Sequence, residues 1–279
     1  MKTRIISALI GLVVLFVVIM NFDSVFLNFA VSVVIIIAID ELLGASKLKG
    51  NKPICIVTYL FGAILPFLKV SLFEDKIPLI IFAFIFLIML IMLKYHTELS
   101  IVTVGFTIAF TIAISLSGTC LVYMRDLYGK NIGLYAVVVI LTGAWMSDTG
   151  AYFTGVFFGK HKMAPLISPK KTVEGAIGGV AVCTISEVLF SFLYVFILGK
   201  FGINLSVDYL ALAVLSPFIS LVSIVGDLSA SIIKRQSGIK DFGKIMPGHG
   251  GILDRFDSVL MVIPVVYIIF SIHPLIEIL

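Results

Sequence analysis

The chain has 279 residues, of which 60% are hydrophobic and only 13% charged. Its mean hydropathy of +1.19 excludes an ordinary soluble domain, where about 45–50% apolar and about 25% charged residues are usual. The net charge of +4 is small, so the placement of the charges matters more than their sum.

In chain order the apolar segments predict about nine membrane-spanning helices, near residues 4–21, 24–40, 53–72, 78–94, 99–123, 132–157, 174–198, 208–233 and 256–275. Runs such as Pro78 to Leu93 are continuously apolar, which favours helices over a barrel of alternating strands. The expected fold class is all-α: a polytopic integral membrane protein with no separate soluble domain. Lys2 and Arg4 precede the apolar run Ile5–Met20, as in a signal peptide. Asn21, Phe22 and Asp23 follow without a small-residue cleavage pattern, so the run is read as a retained first span.

Residues 1–130 carry about five plain Ile/Leu/Val/Phe spans, expected to anchor the chain or to contact lipid or a second copy. Residues 131–279 carry about four spans together with acids, glycines and the two longest polar loops. A cytoplasmic N-terminus places fifteen of the 20 Lys and Arg residues on the inside, a strong positive-inside bias. The same assignment puts both basic loops in the cytoplasm and the C-terminus outside, and the expected location is the cell (inner or plasma) membrane. Cys55, Cys120 and Cys183 are scattered and form no ligand or disulfide pattern.

The first polar stretch begins at Asp148, inside an apolar span. An ionised acid there costs about 2.5–3.5 kcal/mol on the gentlest insertion scale, so such residues face a bundle interior or a watery cavity. Gly155 with Gly159, and Gly175 with Gly179, are small-xxx-small pairs expected to pack helices closely. Ser168, Lys171 and Thr172 gather hydroxyl and ammonium groups just before a helix, whose N-terminus favours anions. Lysines at this position equally fit plain membrane topology.

The second stretch is more specific. Asp227 and Ser231 are one helical turn apart, and Lys234 continues that face. Asp254 and Asp257, at i and i+3, open the last span. Between them lie Arg235, Lys240, Asp241, His249 and a run of glycines. Glycines let backbone N–H groups approach an anion. Paired carboxylates beside Lys and Arg suggest Mg²⁺ bound with a polyphosphate, since Mg²⁺ takes one or two carboxylates, phosphate oxygens and water. Glu187 also lies inside a span and has no polar companions in sequence.

The spacing of Ser231, Lys234, Arg235, Lys240, Asp241, Gly243, Met246, Pro247, His249, Gly250, Gly251, Asp254, Arg255 and Asp257 closely resembles the signature of phosphatidate cytidylyltransferases (CDP-diacylglycerol synthases). The stretch from Asp148 to Gly175 resembles a second block of that family. The resemblance implies that CTP and phosphatidic acid give CDP-diacylglycerol and pyrophosphate, with Mg²⁺ and a monovalent cation as a possible second ion. It implies that Asp227 and Asp254 are the metal-binding pair, and that the chain is a homodimer. Nucleic acid is not an expected partner.

On this reading Asp227, Asp254, Lys234 and Arg255 are the expected catalytic residues. Asp148, Ser168, Lys171, Thr172, Ser231, Arg235, Lys240, Asp241, His249 and Asp257 are expected around the substrates. Asp148 either contacts the nucleotide or orders a lysine. The competing readings are a cytidylyltransferase for another lipid phosphate, a CTP-using lipid-alcohol kinase, and a transporter in which Asp148, Glu187 and Asp227 mark a pathway.

Overall fold

Short polar side chains start four of the helices, because the first N–H groups of a helix have no partner within it. The structure, a computed structural model, describes every residue except Met1, Lys69 and His249; for residues 2–6, 8 and 70–75 it describes the backbone alone. Its helices are α1 (Lys2–Met20), α2 (Val25–Ala45), α3 (Lys52–Ile64), α4 (Val70–Lys94), α5 (Ile101–Phe158), α6 (Val173–Lys200), α7 (Tyr209–Gln236) and α8 (Leu253–Ile272). Ser24 caps α2, Asn51 caps α3, and Thr172 caps α6. Asp208 caps α7 by accepting the Ala211 N–H at 2.9 Å. α5 is broken at Gly129, whose φ of 76° and ψ of 178° interrupt the helix; glycine adopts such a conformation without a Cβ penalty.

Six helices among the described residues are long and apolar enough to cross a membrane: α2, α4 from Lys76, α5, α6, α7 and α8. The chain is a multi-pass membrane protein, and its described residues contain no separate soluble domain. The expected count of nine spans is not reached on this measure. The expected spans 99–123 and 132–157 lie on the one kinked helix α5, and Leu9–Met20 and Lys52–Phe67 are apolar helices of shorter length.

Two small antiparallel sheets interrupt the helical pattern. β1 (Lys162–Ala164) pairs with β2 (Ser168–Thr172), and β3 (Leu205–Val207) pairs with β4 (Ile276–Ile278). The first polar stretch, expected to be a loop, is thus partly a hairpin leading into α6.

The chain divides into two compact units. One comprises residues 1–127 with 236–255, and the other residues 128–235 with 256–279. In the first, Ile35 and Ile39 of α2 are buried, and a Cβ at Gly62 of α3 would lie within 2.7 Å of both. The rings of Phe61 and Phe84 stack at 4.2 Å. The Arg125 guanidinium donates to the Ser24 carbonyl at 2.9 Å and to Asn28 Oδ1 at 3.0 Å, and it pairs with Asp126 at 2.6 Å.

In the second unit Tyr135, Cys183, Leu212, Ile219 and Phe270 are fully buried. Polar side chains there pair with one another: Tyr135 Oη with Ser191 Oγ at 2.9 Å and Ser147 Oγ with Ser220 Oγ at 2.7 Å. The glycines of α5 and α6 pack as the small-residue spacing predicts. A Cβ at Gly175 would lie 2.7 Å from the Ala151 carbonyl oxygen, and one at Gly179 would lie 2.8 Å from that of Ser147. Glu187 is 1% exposed, and a Cβ at Gly143 would come within 2.9 Å of its carboxylate.

Candidate active site

The second unit gathers acids and lysines from four elements. Asp148 comes from α5, Lys171 from β2, Asp227 and Lys234 from α7, and Asp257 from α8. The close approach of α7 and α8 is set by Gly226, where a Cβ would lie 2.9 Å from the Asp257 carbonyl oxygen and 3.0 Å from Ser258 Cα. Lys171 forms an ion pair with Asp227, and both side chains are partly exposed. Asp257 sits in the field of Asp227 and Asp148, two like charges, and of Lys234, which opposes them. Ser258 is buried and joins the acids. Its hydroxyl donates to Asp148 Oδ2 at 3.2 Å, and its N–H donates to Asp257 Oδ1 at 2.8 Å.

This arrangement gives Asp148 a polar companion, as expected for an acid within a span. It also brings together Asp148, Lys171, Asp227, Lys234 and Asp257 from the two polar stretches. Ser231 follows Asp227 by one turn of α7 and is half-buried, whereas Arg235 is exposed. The Arg235 Nε donates to the Ile167 carbonyl at 3.4 Å, at the turn between β1 and β2. Ser168 lies on β2 opposite Ala164. Thr172 is buried, and its Oγ1 accepts the Gly175 N–H at 3.1 Å. The base of the hairpin is tied by Glu174, which accepts the Lys160 N–H at 3.0 Å and the His161 N–H at 3.1 Å.

The first unit holds the remaining expected residues. Lys240, Asp241 and Arg255 are exposed. Asp254 Oδ2 accepts the Phe242 N–H at 2.8 Å and the Gly251 N–H at 2.9 Å, which draws the two ends of the glycine-rich loop together. Gly248 and Gly250 adopt φ values of 81° and 87°, a region that favours glycine. The expected site residue His249 lies outside the described residues.

Two contributors escape sequence reasoning. Ser258 stands in the motif but gives no sign that it links two acids. Glu41 of α2, at the end of an apolar run, binds the start of α8, and its only sequence signal is an acid following Asp40.

Among the described residues no three His, Cys, Asp or Glu side chains form a ready-made metal cage. The carboxylates of Asp227 and Asp257 are oxygen donors of the type that Mg²⁺ accepts beside phosphate oxygens and water, and Lys171 and Lys234 are of a type that binds phosphate.

The chain is similar over most of its length to known proteins. A family model described as "Cytidylyltransferase family" matches residues 2–273. A phosphatidate cytidylyltransferase of Bacillus subtilis is 36% identical over 245 residues, covering 84% of this chain and 85% of that protein. One from Staphylococcus aureus is 33% identical over 275 residues, covering 96% and 98%. Another from Thermotoga maritima is 39% identical over 167 residues, covering 59% of each chain. A match over nearly the whole length, through all the elements that supply the acids and lysines, makes this chain a member of the cytidylyltransferase family.

Proposed function

We propose that the chain transfers a cytidylyl group from CTP to phosphatidic acid, releasing pyrophosphate and leaving CDP-diacylglycerol in the membrane. The observation that carries this reading is the convergence of Asp148, Asp227 and Asp257 with Lys171 and Lys234, in a chain whose relatives are named for that reaction along most of their length.

A phosphate oxygen of phosphatidic acid forms a bond to the α-phosphorus of CTP. The bond from that phosphorus to the bridging oxygen of pyrophosphate breaks. The nucleophile is already an anion near neutral pH, so no strong base is needed. The obstacle is repulsion between two anionic substrates, and the remedy is positioning and charge neutralisation. Lys171 and Lys234 neutralise phosphate charge, with Arg235, Lys240 and Arg255 attracting the anions from solution. Ser168, Thr172, Ser231, Asp241 and His249 complete the substrate surroundings expected from the family resemblance. Asp148, through Ser258, holds Asp257 in place.

Bound Mg²⁺ supplies Lewis-acid stabilisation of the departing pyrophosphate. Asp227 and Asp254 would hold the metal, as the resemblance implies, and Asp257, which lies in the field of Asp227, is a further acid available to it. The family resemblance also allows a monovalent cation as a second ion. The lysine and arginine bias supports a cytoplasmic N-terminus and an external C-terminus in the cell membrane. This topology requires α1 and α3 to cross the bilayer and α5 to cross twice. Phosphatidic acid then meets CTP at the cytoplasmic face. The protein acts as a homodimer and engages no nucleic acid.

A lipid-alcohol kinase is the weaker reading, because it releases CDP and requires a base for a neutral hydroxyl. The test is purified protein in mixed micelles with CTP and phosphatidic acid, with and without Mg²⁺, beside Asp227→Asn. Pyrophosphate release that requires lipid, metal and Asp227 is the expected result. CDP in its place, or neither product from folded protein, overturns the proposal.

A further inference from the structure

The glycine-rich loop is held from two sides. Asp254 gathers its ends, as described above. From α2, Glu41 Oε1 accepts the Ile252 N–H at 2.9 Å, and Oε2 accepts the Leu253 N–H at 2.8 Å. Glu41 is 3% exposed and lies more than two hundred residues away in sequence. Its carboxylate also fills the space beside two loop glycines: a Cβ built at Gly243 or at Gly251 would collide with it. α1 adds a further contact, from Ser7 Oγ to the Pro247 carbonyl at 3.2 Å.

These contacts are stronger than ordinary packing. The first N–H groups of α8 have no partner within the helix, and leaving them buried and unpaired is costly. Bonds from N–H groups to a carboxylate are roughly twice as strong as neutral ones. The positive end of the helix also favours a carboxylate at that place. Lost closeness would move the loop backbone, and Asp254 and Arg255 follow it directly in sequence.

We propose that Glu41 is a positioning residue for the transfer reaction: by binding the Ile252 and Leu253 N–H groups and excluding side chains at positions 243 and 251, α2 sets the geometry of the glycine-rich loop that carries Asp254 and Arg255. This gives the N-terminal helices a part in catalysis beyond anchoring. The inference rests on the cytidylyltransferase reading above.

The test compares wild type with Glu41→Gln, Glu41→Asp, Gly251→Ala and the double variant Glu41→Asp/Gly251→Ala, all as full-length protein in mixed micelles. kcat, KM for each substrate, melting temperature and amide exchange of residues 248–256 are measured. Gln keeps the size of Glu but turns an N–H donor toward a backbone N–H. Glu41→Gln should therefore keep its melting temperature within a few degrees while kcat falls about 10- to 100-fold, the scale of a small misplacement of reacting groups. KM for phosphatidic acid should hold, and exchange at Ile252 and Leu253 should quicken. Gly251→Ala should lose activity similarly. The double variant should recover at least about tenfold over Gly251→Ala, because the shorter Asp vacates the space of one methylene.

Unchanged kcat in Glu41→Gln overturns the inference. So does an activity loss matched by loss of folded protein, or an absence of recovery in the double variant. Wild-type protein that forms no CDP-diacylglycerol overturns the reaction assignment instead; the exchange measurement then separately decides whether Glu41 holds the loop.

Discussion

Two regions of this molecule use carboxylates in opposite ways. In the loop of residues 236–255, the oxygens of Glu41 and Asp254 receive backbone N–H groups. In the second unit, Asp227 faces Lys171, and Asp257 shares its surroundings with Asp148, Asp227 and Lys234. The first pattern uses negative charge to fix a backbone. The second brings like charges together beside lysines, which is unfavourable unless a cation or a reaction makes use of it. The partners of an acid in a membrane protein thus show part of its role: backbone amides around Glu41 and Asp254 fix a loop, and crowding of Asp148, Asp227 and Asp257 marks a place where charge is handled.

The largest effects are expected at the acids of the second unit. Asp227→Asn and Asp257→Asn should each lower kcat by about 100-fold or more, the scale of losing a group that stabilises developing charge, with the melting temperature nearly unchanged. Steady-state kinetics across a Mg²⁺ titration checks this. Wild-type activity in both variants would show that the crowded acids handle no charge in the reaction.

Lys171→Met should come next, with a loss of about 10- to 100-fold, since it removes one positive charge from an anionic reaction. Lys171→Arg should restore part of the rate, which the same assay measures. Overpacking the helices of the second unit instead should affect stability first. Gly178→Ala places a Cβ inside the Thr154 side chain and should cost about 1–3 kcal/mol through overpacking. Thermal unfolding should show the loss, while activity per folded molecule stays near wild type.

The smallest effect is expected at Asp208, at the start of α7. Its carboxyl is held below the usual value of 3.8 by the Ala211 N–H first and by His273 next. A depressed folded value means that the cap contributes fully above the unfolded pKa and is lost only as pH falls through the lowered one. The difference in melting temperature between wild type and Asp208→Ala should be small and present at pH values above the usual carboxylate range. It should shrink toward zero in stronger acid, as melting curves at stepped pH would reveal.

Much of this was legible in the residues. Long apolar runs predicted the membrane helices, and the spacing from Ser231 to Asp257 pointed to the family that the relatives share. Asp148 stood out because an acid inside an apolar span needs a polar surrounding, and Ser258 supplies it. The pairs Gly155 with Gly159 and Gly175 with Gly179 announced close packing. The length of each helix was less legible. The run near 53–72 became the short α3, a 3₁₀ turn at Leu65–Phe67 and then α4. Apolar composition cannot reveal where proline and local capping end a helix. The hairpin of β1 and β2 was hidden because lysines and prolines suit a loop equally well.

The class of the protein, its bias of charge and the acids and lysines available for chemistry are legible from the residues alone, because they depend on composition and local spacing. Which of them meet depends on how the chain folds. Lys171 reaches Asp227 from a strand, Ser258 bridges to Asp148, and Glu41 grips amides more than two hundred residues away. The physical reason is that a carboxylate's role depends on what lies within about 3 Å of its oxygens. When that partner is a backbone N–H, no pattern of side chains records it.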